Sequence, residues 1–457
     1  MNLHALLQRR AAAGKPVRVG LIGGGKFGTM FLAQARHVPG LHVLGIADLK
    51  PERVRASLGQ AHWPAEAFAA KSLADALKTG GTHVGDDALA LIKADGLDVL
   101  IEATGYPPAG IKHALAAFKH KRHVVMVTVE ADVLAGPLLA KRAEEAGVVY
   151  SLAYGDQPAE ICELVDWARA CGFGVQAAGR GVKYLPRFHQ STPDTVWADW
   201  GMSPEEAKKS GMNAQMFNSF NDGSKPAIEL GAVSNATGLM PPDDGLGFEP
   251  CGVDDLPHIC RPVAEGGRLS GKGMVVVVSS LERDGRPVYR DIRPGVFVVI
   301  EAPGAYTARS FRDYHMLTDA SGRYTALYRP YHMIGLEVGI SVLSVALRGE
   351  PTGCPIGWHA DAVATAKKDL KPGDVLDGEG GYCAWGKLIP ARRSREIGAL
   401  PLGLAHHLKV EKPVKQGEIL RWSDVSAAGV DGLMQEAIAF RRQMEQDFAP
   451  AVARAAE

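Results

Sequence analysis

A glycine-rich segment near the N-terminus has the spacing of a phosphate-binding turn. Residues 17–28 read VRVGLIGGGKFG and follow the pattern G-x-G-x-x-G through Gly23, Gly25 and Gly28. The first glycine of this pattern permits a tight turn, the second lets a pyrophosphate approach the backbone, and the third lets helix and strand pack closely. Lys26 and Phe27 fall at the start of the predicted helix, whose N-terminus attracts anions. The segment therefore predicts a dinucleotide site.

The next apolar run ends on a carboxylate that bears on cofactor choice. Asp48 lies twenty positions beyond Gly28, where a carboxylate accepts hydrogen bonds from the adenosine ribose hydroxyls, which favours NAD. Lys50, Arg53 and Arg55 follow at once, and a cation at this place can pair with a 2′-phosphate, which favours NADP. Since a solvated helix face also explains Arg53 and Arg55, NAD and NADP both stay open.

Three later strand ends are expected at the same edge of the sheet. Thr104 and Gly105 follow one predicted strand, and these small residues would let a nicotinamide ring approach. Glu130 and Asp156 follow two others and are expected to face the same crevice. Helix N-capping is the competing interpretation for both carboxylates.

Hydride transfer also needs a group that manages charge on the reacting oxygen. The segment GRGVKY places Arg180 and Lys183 on a loop made flexible by glycine. We predict Lys183 as acid/base or oxyanion-stabilising group and Arg180 as a substrate ligand. A surface lysine is the alternative for Lys183.

A second polar cluster, MFNSFNDGSKPAIE, begins at residue 216 and suits an anionic or polyhydroxylated substrate. The substrate-binding candidates in this cluster are Asn218, Asn221 and Ser224, and the catalytic candidates are Asp222, Lys225 and Glu229. If residues 227–236 are helical, a surface pair between Lys225 and Glu229 explains those two instead. His332, in RPYHMIGLE, is either a second proton carrier or a core histidine.

The order of apolar runs predicts the elements that position these groups. Short apolar runs alternate with amphipathic segments from 17 to 151, which is typical of βαβ units and a parallel sheet. The predicted strands are 17–22, 41–47, 82–84, 98–103, 123–128 and 148–151, and predicted helices include 109–119 and 137–146. The predicted fold class is α/β, with an N-terminal Rossmann doubly wound parallel sheet, an α+β second domain and a small β-rich C-terminal module. The predicted domains are 1–157, 158–352 and 353–428, followed by a C-terminal helix within 429–457.

Composition narrows the function classes. Lys plus Arg and Asp plus Glu balance at 51 each in 457 residues, so there is no basic field for nucleic acid or an anionic membrane surface. The six cysteines form no C-x-x-C pair, and no 18-residue apolar run occurs. We expect a cytoplasmic protein with reduced thiols and small-molecule partners. The mixed second domain favours a homo-oligomer.

With these motifs the chain resembles the homoserine dehydrogenase-like superfamily with a C-terminal SAF-type domain. Residues 127–135, VTVEADVLA, align with the Thr-Ala-Asn-Lys strand end of that superfamily, but Ala131 replaces the lysine of homoserine dehydrogenase. The N-terminal segment, GRGVKY, FNSFNDGSKPAIE and RPYHMIGLE are most similar to 1-deoxy-D-xylulose 5-phosphate reductoisomerase-like enzymes.

This resemblance implies NADPH-dependent conversion of that ketose phosphate to 2-C-methyl-D-erythritol 4-phosphate in isoprenoid precursor synthesis. It makes Arg180, Lys183 and Lys225 partners of a phosphate or enediolate. A divalent cation, Mg or Mn, would assist such a rearrangement, and Asp156, Asp222 and Glu229 are candidate oxygen ligands without a local metal motif. The alternatives are an oxidoreductase or oxidoisomerase of a sugar acid or polyol, and a nucleotide-sensing protein without turnover.

Overall fold

A computed structural model describes residues 2–209 and 212–454, with side chains described up to residue 449. The last three residues of the predicted C-terminal region lie outside this range. The chain forms two compact units. The first unit comprises Met1–Glu160 and Met333–Pro355, and the second comprises Ile161–His332 and Ile356–Glu457. The domain boundaries drawn from the sequence stay a prediction.

The strands are β1 (Val17–Ile22), β2 (Leu41–Ala47), β3 (His83–Gly85), β4 (Val99–Glu102), β5 (His123–Met126), β6 (Tyr150–Leu152), β7 (Gly174–Val182), β8 (Glu249–Pro250), β9 (Met274–Ser279), β10 (Val296–Glu301), β11 (Tyr324–Arg329), β12 (Ala360–Ala366), β13 (Val375–Asp377), β14 (Ala384–Pro390), β15 (His406–Val410) and β16 (Val425–Ser426). The α-helices are α1 (Leu3–Ala12), α2 (Lys26–Ala35), α3 (Pro51–Gln60), α4 (Leu73–Thr79), α5 (Ala88–Lys93), α6 (Pro107–Lys119), α7 (Val129–Glu145), α8 (Gln157–Ala170), α9 (Val196–Trp200), α10 (Pro204–Lys209), α11 (Ala214–Asn221), α12 (Ser224–Thr237), α13 (Leu256–Ile259), α14 (Ala305–Asp313), α15 (Gly339–Arg348), α16 (Ala391–Ile397) and α17 (Gly432–Arg454).

The first unit contains a six-stranded parallel sheet. Its strand order is β3-β2-β1-β4-β5-β6. This is the doubly wound arrangement, in which β2 and β3 lie on one side of β1 and β4 to β6 lie on the other. The strands are largely apolar because helices cover both faces, and Val17, Val19 and Leu21 are fully buried. α15 returns to this unit and packs against α1. The predicted α/β class and parallel sheet are confirmed.

The second unit has a five-stranded mixed sheet of order β11-β10-β7-β9-β8. β7 packs so closely on β9 that a Cβ at Gly179 would lie 1.7 Å from the carbonyl oxygen of Val276. Two small antiparallel arrays follow, β12-β14 and β13-β15-β16. We call residues 356–428, which contain them, the C-terminal module. The predicted α+β domain and β-rich module match these elements.

Three helices begin earlier than the sequence predicts. α6 starts at Pro107 rather than at residue 109. α7 starts at Val129 rather than at Pro137, so Pro137 lies inside the helix. α12 starts at Ser224 rather than at residue 227, directly after Gly223, whose backbone is left-handed with φ +91°. The prediction placed the start of α7 at Pro137 because proline is tolerated in the first turn of a helix. In the structure, eight largely buried helical residues precede this proline. Among the described residues, no helix combines the length and apolarity needed to cross a bilayer.

Candidate active site

The glycine-rich turn joins β1 to α2 in the geometry that its spacing predicts. Gly23 has φ +98°, and a Cβ there would lie 2.3 Å from the carbonyl oxygen of Ala103. A Cβ at Gly28 would lie 2.5 Å from the carbonyl oxygen of Gly23, so helix and turn could not approach as they do. Gly25 is the N-cap of α2 and caps it with no side chain, and nothing lies within 4 Å of its ideal Cβ position. The backbone N–H groups at Lys26 and Phe27 therefore fit a pyrophosphate.

Asp48 lies directly after β2 and is hydrogen-bonded to this turn. Its Oδ2 accepts a hydrogen bond from Gly24 N at 2.7 Å, and its Oδ1 accepts one from Lys50 N at 2.8 Å. Each carboxylate oxygen retains a lone pair that a ribose hydroxyl could use. Arg53 is exposed in the first turn of α3, as a partner of a 2′-phosphate or a solvated residue would be. Arg55 instead donates to the Val84 carbonyl at 2.9 Å.

A buried carboxylate organises the edge of the sheet where a nicotinamide is expected. Glu102 is fully buried at the end of β4. It accepts hydrogen bonds from the Thr104 hydroxyl at 2.7 Å and from the Thr128 hydroxyl, and His113 Nδ1 lies 3.2 Å away. Gly105 N donates in turn to Thr128 Oγ1 at 3.0 Å. Glu102 thus fixes the two loops after β4 and β5, a role that sequence analysis did not assign to it.

The other two carboxylates of this unit lie near helix starts. Glu130 occupies the first turn of α7 and is partly exposed. Asp156 is buried, and its Oδ1 accepts a hydrogen bond from Gln157 N at 3.0 Å, where α8 begins. This contact agrees with the capping interpretation of Asp156, and the cofactor role of Glu130 stays a prediction.

Lys183 lies in a cationic cluster just after β7. Its ammonium donates to the carbonyl oxygen of Asp199, whose carboxylate also accepts from Arg187 at 2.5 Å and from Asn221 Nδ2 at 3.0 Å. Burial lowers the pKa of Lys183, and the nearby charge of Arg293 lowers it further. We call Lys183, Arg187 and Arg293 the cationic cluster. The three positive groups outnumber the Asp199 carboxylate next to them, and a local excess of positive charge suits an anion.

Most of the polar residues predicted to bind substrate instead hold the C-terminal module. Asn218 is fully buried, and its amide nitrogen donates to the carbonyls of Ser191 at 3.0 Å and Gly380 at 2.8 Å. The Ser224 hydroxyl accepts from Gly386 N at 2.8 Å. Asp222 lies 2.7 Å from the Lys367 ammonium, and both side chains are buried. Of the polar residues from 218 to 224, only Asn221 contacts the carboxylate of Asp199, which also binds Arg187 of the cationic cluster.

Arg180 and Glu229 form a buried ion pair with each other. Their side chains are 9% and 2% exposed. Glu229 therefore does not occupy the helix surface, so the proposed surface pair with Lys225 is wrong for Glu229. Lys225 is partly buried in the first turn of α12. His332 is partly exposed, with Nδ1 2.6 Å from the carbonyl oxygen of Pro294, so a core position is wrong for this histidine.

The described residues contain no group of three or more His, Cys, Asp or Glu that could hold a metal ion. Asp222 and Glu229 each face their own buried cation, Lys367 and Arg180. A positive charge at that distance competes directly with a divalent cation. Asp222 and Glu229, two of the oxygen ligands suggested by the sequence, therefore do not suit Mg or Mn.

Comparisons with known proteins bear on part of this chain. A family model described as "Oxidoreductase DRL, catalytic domain" matches residues 155–338, which include the cationic cluster. This part of the chain is thus similar to an oxidoreductase catalytic domain. A search of curated protein sequences gives no match.

Solved structures that match parts of this chain include two reductoisomerases and one dehydrogenase. A DOX-P reductoisomerase in complex with magnesium is 16% identical, with coverage of 47% of this chain and 56% of that chain and a TM-score of 0.32. The 1-deoxy-D-xylulose 5-phosphate reductoisomerase of Zymomonas mobilis in complex with NADPH is 18% identical, with coverage of 48% and 57% and a TM-score of 0.33. The myo-inositol dehydrogenase of Lactobacillus casei in complex with NAD(H) and myo-inositol is 15% identical, with coverage of 40% and 50% and a TM-score of 0.28. The chain thus spans about half the length of each of these proteins.

Proposed function

We propose that the chain is an NAD(P)-dependent oxidoreductase of a small anionic sugar derivative, and specifically a reductoisomerase of 1-deoxy-D-xylulose 5-phosphate. The observation that carries the substrate class is the cationic cluster, in which the charges of Arg187 and Arg293 lie near Lys183 and Arg187 binds the carboxylate of Asp199. This cluster lies within the segment matched by the oxidoreductase catalytic-domain model. A phosphate or carboxylate group on the substrate would pair with the arginines.

The cofactor assignment rests on the turn between β1 and α2. The N–H groups at the start of α2 and the close packing at Gly23 and Gly28 suit a pyrophosphate, and Asp48 suits a ribose. A bound nicotinamide would supply the hydride. Arg53 is the residue that would select NADP, whereas Asp48 by itself favours NAD.

Lys183 is the group that we assign to proton management. Its half-buried ammonium has a lowered pKa, so it holds a proton near neutral pH more weakly than an exposed lysine does. Such a group can stabilise a developing oxyanion and donate a proton to it. Asn218, Asp222 and Ser224 are assigned to holding the C-terminal module, and Arg180 and Glu229 to fixing β7 on α12.

An oxidoreductase or oxidoisomerase of a sugar acid or polyol is the second candidate. The position of Asp48 favours it, because catabolic oxidation usually draws on NAD and this carboxylate lies where a ribose 2′-hydroxyl would bind. The same proposal includes membership of the homoserine dehydrogenase-like superfamily and a SAF-type C-terminal module, both on the sequence resemblance alone. It also includes a homo-oligomeric state, on the mixed second domain, and a cytoplasmic location, on the cysteine pattern and the lack of a long apolar run.

Purified protein should be assayed for NADPH and NADH oxidation with 1-deoxy-D-xylulose 5-phosphate, with and without Mg or Mn, and the product identified. We expect substrate-dependent oxidation that yields methylerythritol phosphate. Lys183→Met should lower kcat at least about 100-fold with unchanged cofactor affinity, whereas Lys119→Met, on an exposed helix end, should leave kcat unchanged. Absence of turnover with intact cofactor binding would refute the reductoisomerase and direct the assay to aldonates and polyols. Full turnover by Lys183→Met would exclude Lys183 from the mechanism.

A further inference from the structure

A cavity in the second unit shares no lining residue with the cationic cluster. It has a volume of about 200 Å³, and its wall includes His189, Phe248, Trp385 and Lys387. We call it the aromatic cavity. Lys183, Arg187 and Asp199 are not among the residues that line it.

Stacked rings form one wall of the aromatic cavity. Trp385 stacks on His189 with ring centroids 3.8 Å apart and an interplanar angle of 21°. Phe248 stacks on Tyr184 at 4.1 Å and 16°, and it meets His189 edge to face. Rings of this kind offer a flat apolar surface against which the C–H face of a sugar or another ring can pack.

His189 is neutral in this wall. Its Nδ1 lies 2.7 Å from the carbonyl oxygen of Asp222, and its Nε2 lies 2.9 Å from the Tyr184 hydroxyl. Since the carbonyl can only accept, Nδ1 carries the hydrogen and Nε2 accepts from Tyr184. Burial lowers the pKa of His189 to about 4, and the charges of Lys387 and Lys367 lower it as well. The wall is therefore uncharged at neutral pH.

Lys387 supplies a positive charge to the same space. Its side chain is 21% exposed, and it lies 3.5 Å from the carboxylate of Asp244, which is itself 82% exposed. A pair this open to solvent is weak, so the ammonium can exchange Asp244 for a ligand. Gly245 has φ +94°, and a Cβ there would lie 2.8 Å from Lys387 Cε, so the chain leaves room for this side chain at that turn.

A second cation borders an adjoining cleft. This cleft has a volume of about 550 Å³ and shares Asp244 and Lys387 with the aromatic cavity. Arg393 lines it and donates to Asp244 at 2.9 Å. The aromatic cavity is thus lined by the cation Lys387, the exposed carboxylate of Asp244 and uncharged rings, and Arg393 binds that carboxylate from the adjoining cleft.

We propose that the aromatic cavity binds an anionic, sugar-sized molecule, with its ring or carbon chain against Trp385 and its carboxylate or phosphate on Lys387 and Arg393. A volume of about 200 Å³ equals roughly six or seven water molecules, which suits a five- or six-carbon molecule. The apolar wall and the cations recognise different parts of one ligand, as small-molecule sites commonly do. The proposal does not depend on which reaction the chain catalyses.

Isothermal titration of the full chain with D-gluconate, glucose 6-phosphate, inorganic phosphate and D-glucitol tests this proposal. We expect gluconate or glucose 6-phosphate to bind, and glucitol and inorganic phosphate to bind at least about tenfold more weakly, because each lacks one half of the recognition. The arm that binds tighter identifies the anionic group as carboxylate or phosphate.

Variants locate the bound molecule. Lys387→Met should weaken binding about tenfold or more, Lys387→Arg should retain it within a few-fold, and Lys371→Met, at an exposed turn, should leave it unchanged. Lys183→Met should leave the Lys387-dependent part of the binding unchanged, which separates this site from the proposed active site. No binding by any probe, equal binding of glucitol or inorganic phosphate, full binding by Lys387→Met, or loss of the Lys387-dependent binding in Lys183→Met would each overturn the proposal.

Discussion

Replacing Asp222 by asparagine distinguishes a structural from a catalytic carboxylate. In the structure Asp222 Oδ2 lies 2.7 Å from the Lys367 ammonium, and the two side chains are 0% and 2% exposed. Asp222 Oδ1 accepts from Ser224 N at 2.8 Å, at the start of α12. Asp222→Asn retains the shape of the side chain and the acceptor for Ser224, but removes the charge opposite Lys367. We expect this variant to lower the free energy of unfolding rather than to impair the catalytic step.

The magnitude follows from the burial of the pair. Removing one member of a buried ion pair typically costs about 3–5 kcal/mol, because the remaining charge is left without compensation. Lys367 keeps two carbonyl acceptors, Ser191 O at 2.8 Å and Gly381 O at 2.7 Å, which places the expected loss near the lower end, at about 3 kcal/mol. That loss is a large part of the roughly 5–15 kcal/mol that stabilises a typical domain.

Urea unfolding followed by tryptophan fluorescence measures this loss. Six of the seven tryptophans belong to the second unit, so the signal reports mainly on the unit that contains the pair. The unfolding midpoint of Asp222→Asn should fall clearly, and the double variant with Lys367→Met should lose less than the sum of the two single losses. An unchanged midpoint together with lost turnover would refute the structural role and return Asp222 to the catalytic candidates.

Two further predictions concern the first unit. Burial raises the pKa of Asp132 to about 7 in the folded protein, whereas the unfolded chain releases this proton near pH 4. The protonated Asp132 therefore contributes to the free energy of unfolding in full below about pH 4. This contribution, up to about 4 kcal/mol, is lost as the pH rises from 4 through 7. Asp132→Asn, which keeps an acceptor for the Tyr150 hydroxyl, should abolish that part of the slope in unfolding measurements between pH 4 and pH 8, and an unchanged slope would contradict the assignment. Gly28→Ala should weaken NADPH binding at least about tenfold, because its Cβ would lie 2.5 Å from the Gly23 carbonyl oxygen, whereas Gly59→Ala, with nothing within 4 Å, should bind normally and gain about 0.5–1 kcal/mol of stability. Equal binding by both alanine variants in a fluorescence titration would show that the turn tolerates the methyl group.

The first unit was the part most accessible to sequence reasoning. The predicted bounds of β1 and β2 agree with the structure, and the G-x-G-x-x-G pattern lies at the predicted strand-to-helix turn. These features are local, because a buried parallel strand needs a continuous apolar run and a tight turn needs glycine at fixed positions. Glu102 was missed since nothing in its neighbourhood of the sequence indicates that Thr128 and His113 converge on it.

The second unit shows what local patterns could not decide. Asn218, Asp222 and Ser224 had the residue types of a polar binding cluster, yet they contact residues of the C-terminal module more than 100 positions later. Conversely, Arg187 and Arg293 gave no motif, although the fold brings both near Lys183.

The sequence by itself determined the class of sheet, the nucleotide-type turn and the chemical types available for a site. Only the tertiary structure decided which group of opposite charge pairs with each buried ionic side chain. Arg180 finds Glu229 across 49 positions, and Asp222 finds Lys367 in a different part of the chain. The physical reason is that backbone geometry follows from neighbouring residues, whereas the partner of a buried ionic group is set by whichever element packs against it.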